Sequence, residues 1–207
     1  HIDYGLTGDT SLMFHVNAEE QSEEGVSLTP FGAGDTKITF KWRFYQDDFG
    51  PVDTTRLALL SGIKAPTGAS RFSTNKASPF IGISAMHIEK KHGVTGSVIF
   101  HATQGDLDNP VIAGEKQANH ISFNGAYLYR LAPEQYSQDF EAAWYAGIEL
   151  NGDWESDGDM EILAAPILLY ESPWWAFEIT VGLPLYEDVV NRPETEFSLA
   201  IGTRFLF

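Results

Sequence analysis

The stretch Lys37-Ile38-Thr39-Phe40-Lys41-Trp42-Arg43-Phe44-Tyr45 determines the fold class, because apolar and polar residues alternate along it without interruption. The apolar residues are Ile38, Phe40, Trp42 and Phe44. The polar and charged residues Lys37, Thr39, Lys41 and Arg43 alternate with them. A period of two residues is that of a β-strand, whose successive side chains point to opposite faces of a sheet. The stretch therefore predicts a strand with one apolar face and one charged face.

The same alternation continues along the rest of the chain. It is clear again at residues 175–186 and 196–207, and weaker at 10–17, 56–64, 79–90, 94–103, 120–131, 139–150 and 159–170. These segments predict about ten antiparallel strands. No helical period is sustained, and no linker or change of composition divides the chain. We therefore expect residues 1–207 to form a single all-β domain.

Composition excludes several classes of function. The 207 residues include no cysteine, so a disulfide framework, a thiolate zinc site and a cysteine nucleophile are all excluded. The formal net charge is −16, and the 13 Lys and Arg residues are scattered, which argues against nucleic acid as a partner. No run of about 18 apolar residues could form a transmembrane helix, but a strand crosses a bilayer in about 10 residues.

The alternation alone does not say which face points inward, since a soluble sandwich or a soluble β-barrel binding protein would also alternate. Connection lengths favour a membrane barrel, because long and short connections alternate as they do between the extracellular and periplasmic sides of outer-membrane barrels. The long set is 18–35, 65–78, 104–119, 152–158 and 187–195, and the short set is 47–55, 91–93, 132–138 and 171–174. Aromatic residues near the short set predict an interfacial girdle: Phe44, Tyr45, Tyr127, Tyr129, Trp174, Trp175, Phe205 and Phe207.

The polar strand positions are the candidate lumen and binding residues of such a barrel. Two pairs are expected to meet: Glu178 with Arg204 across the last hairpin, and Arg130 with Glu141 across the preceding short connection. Such pairs either fill a narrow barrel and satisfy each other's charge, or form a constriction that sorts small solutes by charge, and the two roles are compatible. The full set is Lys37, Lys41, Arg43, Arg130, Glu141, Glu149, Glu178 and Arg204.

One acidic loop imitates a calcium site. Asp153, Glu155, Asp157 and Asp159 place oxygen ligands at alternate positions, and Gly158 allows a sharp turn, with the first three as the main candidates. Ala164 stands where a calcium loop has its twelfth-position glutamate, so the alternative is an acidic surface loop that meets the divalent cations of a lipopolysaccharide layer. No other cofactor is expected.

The histidines do not predict an enzyme. They lie on different segments, without metal-ligand spacing and without a serine and aspartate arranged as a triad: His15, His87, His92, His101 and His120.

Four stretches of the sequence carry a resemblance to known proteins. The ending Arg204-Phe205-Leu206-Phe207 resembles the C-terminal signal of outer-membrane proteins, which implies recognition of Phe207 by the outer-membrane insertion machinery. Tyr4-Gly5-Leu6-Thr7, the segment 32–44 and Gly62-Ile63-Lys64-Ala65-Pro66-Thr67-Gly68 resemble the MetA-type family of outer-membrane transporters assigned to the phenol meta-degradation pathway.

The resemblance implies an antiparallel up-and-down transmembrane β-barrel in the outer membrane of a Gram-negative bacterium, in contact with lipid and lipopolysaccharide. In that family the Tyr-Gly-Leu-Thr stretch closes an earlier strand, so further N-terminal strands are expected and the intact barrel would have about twelve. The expected function is passive passage of small molecules, hydrophobic or aromatic ones among them. The alternatives are a barrel that serves as a scaffold or partner-binding protein without transport, and a soluble β-barrel or sandwich that binds a ligand.

Overall fold

A computed structural model describes residues 2–16, 18–20, 31–69, 73, 75–104, 118–136, 141–190 and 194–205. Within these residues the regular structure consists of strands: β1 Ile2–Gly5, β2 Thr10–His15, β3 Ala18–Glu20, β4 Phe31–Ala33, β5 Thr36–Asp48, β6 Thr54–Ala65, β7 Ser78–Glu89, β8 His92–His101, β9 His120–Ala132, β10 Ala143–Glu155, β11 Met160–Glu171, β12 Trp175–Asp188 and β13 Ser198–Phe205. No helix in this part of the chain is long and apolar enough to cross a membrane.

Eleven strands form one antiparallel sheet whose order follows the chain, β1-β2-β5-β6-β7-β8-β9-β10-β11-β12-β13, and β3 and β4 pair as a separate hairpin. The prediction of an all-β antiparallel fold is confirmed. Among the described residues no pairing joins β1 to β13, so these two strands are the edges of the sheet. Every residue of β1 and of β13 is exposed.

All ten predicted strands are present, and most bounds agree within a few residues. The short strands β1, β3 and β4 were not predicted. The prediction for β10 was wrong by several residues, since the strand runs to Glu155 instead of ending at Leu150. Residues 139 and 140 of the predicted segment lie outside the described residues.

The sheet is strongly curved. Lys37 on β5 interacts electrostatically with Asp153 on β10, although five strand spacings would separate them by roughly 24 Å in a flat sheet. One cavity is lined both by Gly5 on β1 and by Asn124 on β9. We call the concave side that bears these side chains the inner face, and the convex side the outer face.

The cross-strand register assigns each strand residue to a face, because directly paired residues lie on the same side. Lys37 pairs with Lys64, Lys64 with Ser78, Phe80 with His101, and His101 with His120, so all of these are on the inner face. The outer face receives the other half of each strand. Its residues are mostly large and apolar, and many are more than one-third exposed: Phe40, Trp42, Ile81, Ile83, Val98, Phe100, Ile148, Leu150, Leu168, Val181, Leu183 and Leu199.

Buried strand residues lie mainly on the inner face, and most of them are small, such as Ala58, Ala165, Thr39 and Thr180. The larger buried side chains there are Leu60, Phe80, Arg130, Glu161 and Ile167. The fold therefore leaves its largest apolar side chains uncovered on the outer face.

The connections alternate in length as predicted. The set 16–35, 66–77, 102–119, 156–159 and 189–197 leaves one end of the sheet, which we call the long-connection end. The set 6–9, 49–53, 90–91, 133–142 and 172–174 leaves the short-connection end. Two members depart from the rule, since 156–159 is a tight turn at the long-connection end and 133–142 is a loop at the short-connection end.

Candidate functional site

Seven of the eight candidate lumen residues lie on the inner face. Lys37, Lys41 and Arg43 are on β5, and the register places the others on β9, β10, β12 and β13: Arg130, Glu149, Glu178 and Arg204. The expectation for Glu141 was wrong in one respect, because β10 begins at Ala143 and Glu141 is an exposed residue ahead of the strand.

Charge is divided between two parts of the inner face. The strands β10, β11 and β12 contain no Lys or Arg, whereas β5 and β6 have acidic residues only at their short-connection end. We call the inward cations of β5 and β6 the basic wall: Lys37, Lys41, Arg43, Arg56 and Lys64. The acidic wall consists of Glu149, Asp153, Glu155, Glu161, Glu171 and Glu178. The electrostatic interaction between Lys37 and Asp153 indicates that the two walls face each other across the interior.

A cavity of about 440 Å³ lies against the basic wall. Lys41, Arg43 and Arg56 line it together with small polar residues of the middle strands. Ser97 on β8 donates a hydrogen bond to Asn124 on β9 at 3.0 Å. Arg43 is fixed by an ion pair with Asp9 at 2.8 Å, in the connection between β1 and β2. The interior is therefore wettable there and is not filled by side chains.

An aromatic and basic cluster lies towards the long-connection end. Phe80 packs over Gly62, where an added Cβ would come within 2.5 Å of its ring and 2.1 Å of the Ile38 carbonyl oxygen. The Lys37 ammonium lies 4.6 Å from the centre of the Phe80 ring, a cation–π contact. The His101 ring, 5.4 Å from Phe80, is stacked on His120 with centroids 4.1 Å apart and an interplanar angle of 9°.

At the short-connection end, Arg130 is only 5% exposed and lies over the ring of Tyr136 at 4.0 Å. The Tyr136 and Tyr145 hydroxyl groups are hydrogen-bonded at 2.6 Å, and the Tyr145 hydroxyl also donates to Glu171 at 3.3 Å. Arg130 was expected to pair with Glu141, but Tyr136 occupies its flat face instead. In the described part of the chain its Nε has no hydrogen-bond partner, and a buried donor left so costs roughly 1–3 kcal/mol, more when it is charged.

The predicted register of the Glu178 and Arg204 pair was wrong by two residues. Glu178 pairs with Gly202 and Arg204 pairs with Ala176, so the two charges are diagonal neighbours on adjacent strands. They share the inner face, and both line a small cavity of about 90 Å³. Among the described residues no ion pair within 4.0 Å joins them.

The acidic loop is only partly as predicted. Glu155, Asp157 and Asp159 bring one carboxylate oxygen each to within 4.8 Å of one another. Asp153 does not join them, because it lies on the inner face of β10 near Lys37. Asp159 is buried and accepts a hydrogen bond from the backbone of Val190 at 3.0 Å. Calcium binding by this loop therefore remains a prediction, with Glu155, Asp157 and Asp159 as the candidate ligands and without Asp153.

Sequence reasoning missed the stacked pair His101 and His120 and the ring of Tyr136. His101 lies two residues before the end of one predicted strand and His120 begins the next, so the prediction placed them near each other but not in direct pairing. Tyr136 lies in a connection with no period, and no sequence signal pointed to its contact with Arg130.

Comparison with known proteins adds no assignment: no family model, no curated protein and no solved structure matches the chain. Function has to be inferred from the residues themselves. The two relevant properties are the apolar outer face and the inner face with its opposed charged walls.

Proposed function

We propose that this chain is an outer-membrane β-barrel of a Gram-negative bacterium that lets small molecules pass through its polar interior. The observation behind the proposal is the distribution of side chains between the two faces of the sheet. The exposed fraction differs sharply between adjacent residues. Thr180 on the inner face is 7% exposed, and Val181 on the outer face is 41% exposed.

The outer face suits lipid better than water. Trp42 and Leu199 are 47% and 57% exposed, and many large apolar residues adjoin them on neighbouring strands. Soluble monomers rarely expose apolar patches larger than about 300–600 Å². The long strands have ten to fourteen residues, for example β8 and β12, and tilted strands of about 9–11 residues span a bilayer.

Aromatic rings at the short-connection end support the same orientation. Trp144, Tyr170 and Trp175 form a row on the outer face with successive centroids 4.9 Å apart. Trp and Tyr concentrate where hydrocarbon meets lipid headgroups. In the proposed orientation this end faces the periplasm and the long connections face outward, towards lipopolysaccharide.

Closure of the sheet is part of the proposal. The exposed edges β1 and β13 would pair with each other or with further strands, because open backbone edges are not tolerated in hydrocarbon. About twelve strands would satisfy the even number usual for such barrels. The last residue, Phe207, lies outside the described residues, and its recognition by the insertion machinery remains a prediction.

Passage is supported by the unfilled cavity beside the basic wall. Opposed charged walls would orient dipolar solutes and sort ions by sign. The resemblance to MetA-type transporters adds hydrophobic or aromatic molecules to the proposed solutes. We propose no catalytic role.

The test begins with folding of the full chain in micelles or lipid vesicles. We expect a folded form that migrates anomalously on unheated gels and that inserts into planar bilayers as a conducting species. A stable soluble monomer without detergent would contradict the membrane assignment, and a folded inserted protein without conductance would contradict passage.

A matched pair of variants tests whether the interior is the path. Ser97→Trp places a large ring in the cavity, whereas Val98→Trp adds the same ring to the outer face. We expect Ser97→Trp to reduce single-channel conductance and Val98→Trp to leave it unchanged. Equal conductance of the two variants would place the ion path elsewhere.

A further inference from the structure

Two adjoining cavities occupy the short-connection end of the inner face. Their volumes are about 280 and 550 Å³, and both are lined by Arg130 and Tyr136. The smaller one is just below the usual range for ligand pockets, about 300–1,000 Å³. It therefore has room for a small molecule.

Arg130 is held in a defined position at this site. It pairs with Tyr145 across the strands, and the Tyr136 ring under its guanidinium is fixed by the hydrogen bond to the Tyr145 hydroxyl group. Its Nε is buried without a hydrogen-bond partner in the described structure. A buried guanidinium normally faces a carboxylate or phosphate, to which it can donate two parallel hydrogen bonds.

The other charged groups around the cavities already have partners. Glu134 accepts a hydrogen bond from the Lys91 ammonium, and Glu171 accepts one from the Tyr145 hydroxyl group. Asp53 accepts one from the backbone N–H of Lys90 at 2.6 Å. Among the charged side chains that line the two cavities, Arg130 is the one without an ion pair or hydrogen-bonded oxygen in the described structure.

The remaining wall of the smaller cavity is aliphatic. Val52, Ile88, Leu128 and Leu169 line it. Burial of an apolar ligand against these side chains is favourable, whereas a hydrated ion has no apolar surface to bury there. The site thus offers one unpaired cation and an apolar enclosure.

We propose that this cavity is a binding site for a small monocarboxylate with an apolar body, whose carboxylate is held by Arg130. The inference does not depend on closure of the sheet or on the membrane, because every residue involved lies on described neighbouring strands and turns. In a barrel the site would lie inside one mouth of the interior.

The probe is cyclohexanecarboxylate, and its neutral match in size is cyclohexanecarboxamide. Both are titrated calorimetrically into the full chain in octyl glucoside micelles, with protein-free micelles as the reference, or into buffer if the chain is soluble. We expect the carboxylate to bind at least about tenfold more tightly than the amide, since only the carboxylate accepts two parallel, charge-assisted hydrogen bonds from the guanidinium.

Two pairs of variants locate the site. Arg130→Gln should reduce carboxylate affinity to that of the amide, whereas Lys76→Gln, which removes one positive charge from an exposed residue outside both cavities, should leave it unchanged. Leu169→Phe fills the cavity and should abolish binding, whereas Leu168→Phe lies on the outer face and should not. The second pair gives the answer if Arg130→Gln does not fold.

Three results would overturn the inference: equal affinity for acid and amide, an equal loss in Arg130→Gln and Lys76→Gln, or full binding by Leu169→Phe. Inorganic phosphate that binds as tightly as the carboxylate would overturn the apolar part of the ligand class. Conductance is measured without ligand, so failure here is distinguishable from failure of the proposed function.

Discussion

The strands of the basic wall, β5 and β6, and those of the acidic wall, β10 to β12, are alike on the outer face, which is apolar. They differ on the inner face, where their charges are opposite in sign. Outside, both bear large exposed apolar residues, such as Trp42 on β5 and Leu168 on β11. On the inner face, the first wall bears Lys and Arg and the second bears Asp and Glu, and Lys37 interacts electrostatically with Asp153. Although the net charge of the chain is −16, the inner face therefore has one positive and one negative region. The difference teaches that the two faces of one sheet follow separate rules: the outer face is apolar in both regions, whereas the inner face changes the sign of its charge between them.

The largest expected effect is a loss of stability, and it tests whether the outer face is in contact with lipid in both regions. Leu59→Arg on β6 and Val181→Arg on β12 should each cost about 2–4 kcal/mol in the free energy of unfolding if both sites lie near the bilayer midplane. Unfolding from lipid vesicles in denaturant, followed by tryptophan fluorescence, measures this cost. Ser97→Arg, which projects into the cavity of about 440 Å³ on the inner face, is the control and should cost far less. Equal costs at positions 97 and 181 would refute the assignment of faces.

The next effect tests the opposition of the inner faces. Replacing Lys41 and Arg56 by Gln should shift the cation-to-anion permeability ratio upward, and replacing Glu149 and Glu178 by Gln should shift it downward. A unit charge about 4–8 Å from an ion in a wet interior is worth about 0.5–1 kcal/mol, so each charge that is removed should shift the permeability ratio roughly twofold to fivefold. Reversal potentials in a salt gradient provide the measurement. Shifts in the same direction would show that the two walls do not line one path.

The smallest effect concerns a charge outside both walls. Lys91, in the turn between β7 and β8, donates a hydrogen bond to Glu134, which raises the pKa of its ammonium group. A raised pKa contributes stability that is fully present below the unfolded lysine's pKa and is lost as pH rises through the folded value, above about 10.4.

The melting temperature of Glu134→Gln should therefore lie slightly below that of the unchanged chain at pH 8, and the two should converge above about pH 10.4. Thermal melts across that range measure the difference. A difference that widens at high pH would contradict the assigned partner of Lys91.

Much of the fold could be predicted because a two-residue period fixes both the strand and the face. The Glu178 and Arg204 pair shows the limit of this reasoning. The register depends on the geometry of the connection 189–197, which the sequence does not specify, and the prediction slipped by two residues. A register shift of two residues leaves every side chain on the same face of the sheet. The predicted face of Glu178 and Arg204 was therefore right, and their predicted direct pairing was wrong.

The error at the end of β10 has a different physical cause. Asn151-Gly152-Asp153 has the composition of a turn, so the strand was predicted to end before it. In the structure Gly152 lies opposite Phe123, whose ring comes within 2.2 Å of the place where a Cβ would be. A side chain at position 152 would collide with the Phe123 ring, so glycine is needed within the strand. This need arises from the neighbouring strand β9 and is not visible in the sequence around residue 152. The contact between Arg130 and Tyr136 escaped prediction for the same reason.

The strand order described above also bears on how fast the chain can fold. Nearly every strand pairs with its neighbour in sequence, so the sheet can grow hairpin by hairpin, and each step closes only a short loop at a small entropic cost. Two steps are longer, because β2 reaches β5 across residues 16–35 and β8 reaches β9 across residues 102–119. The kinetic barriers of assembly should be concentrated at these two steps, and in a closed barrel at the final joining of its first and last strands.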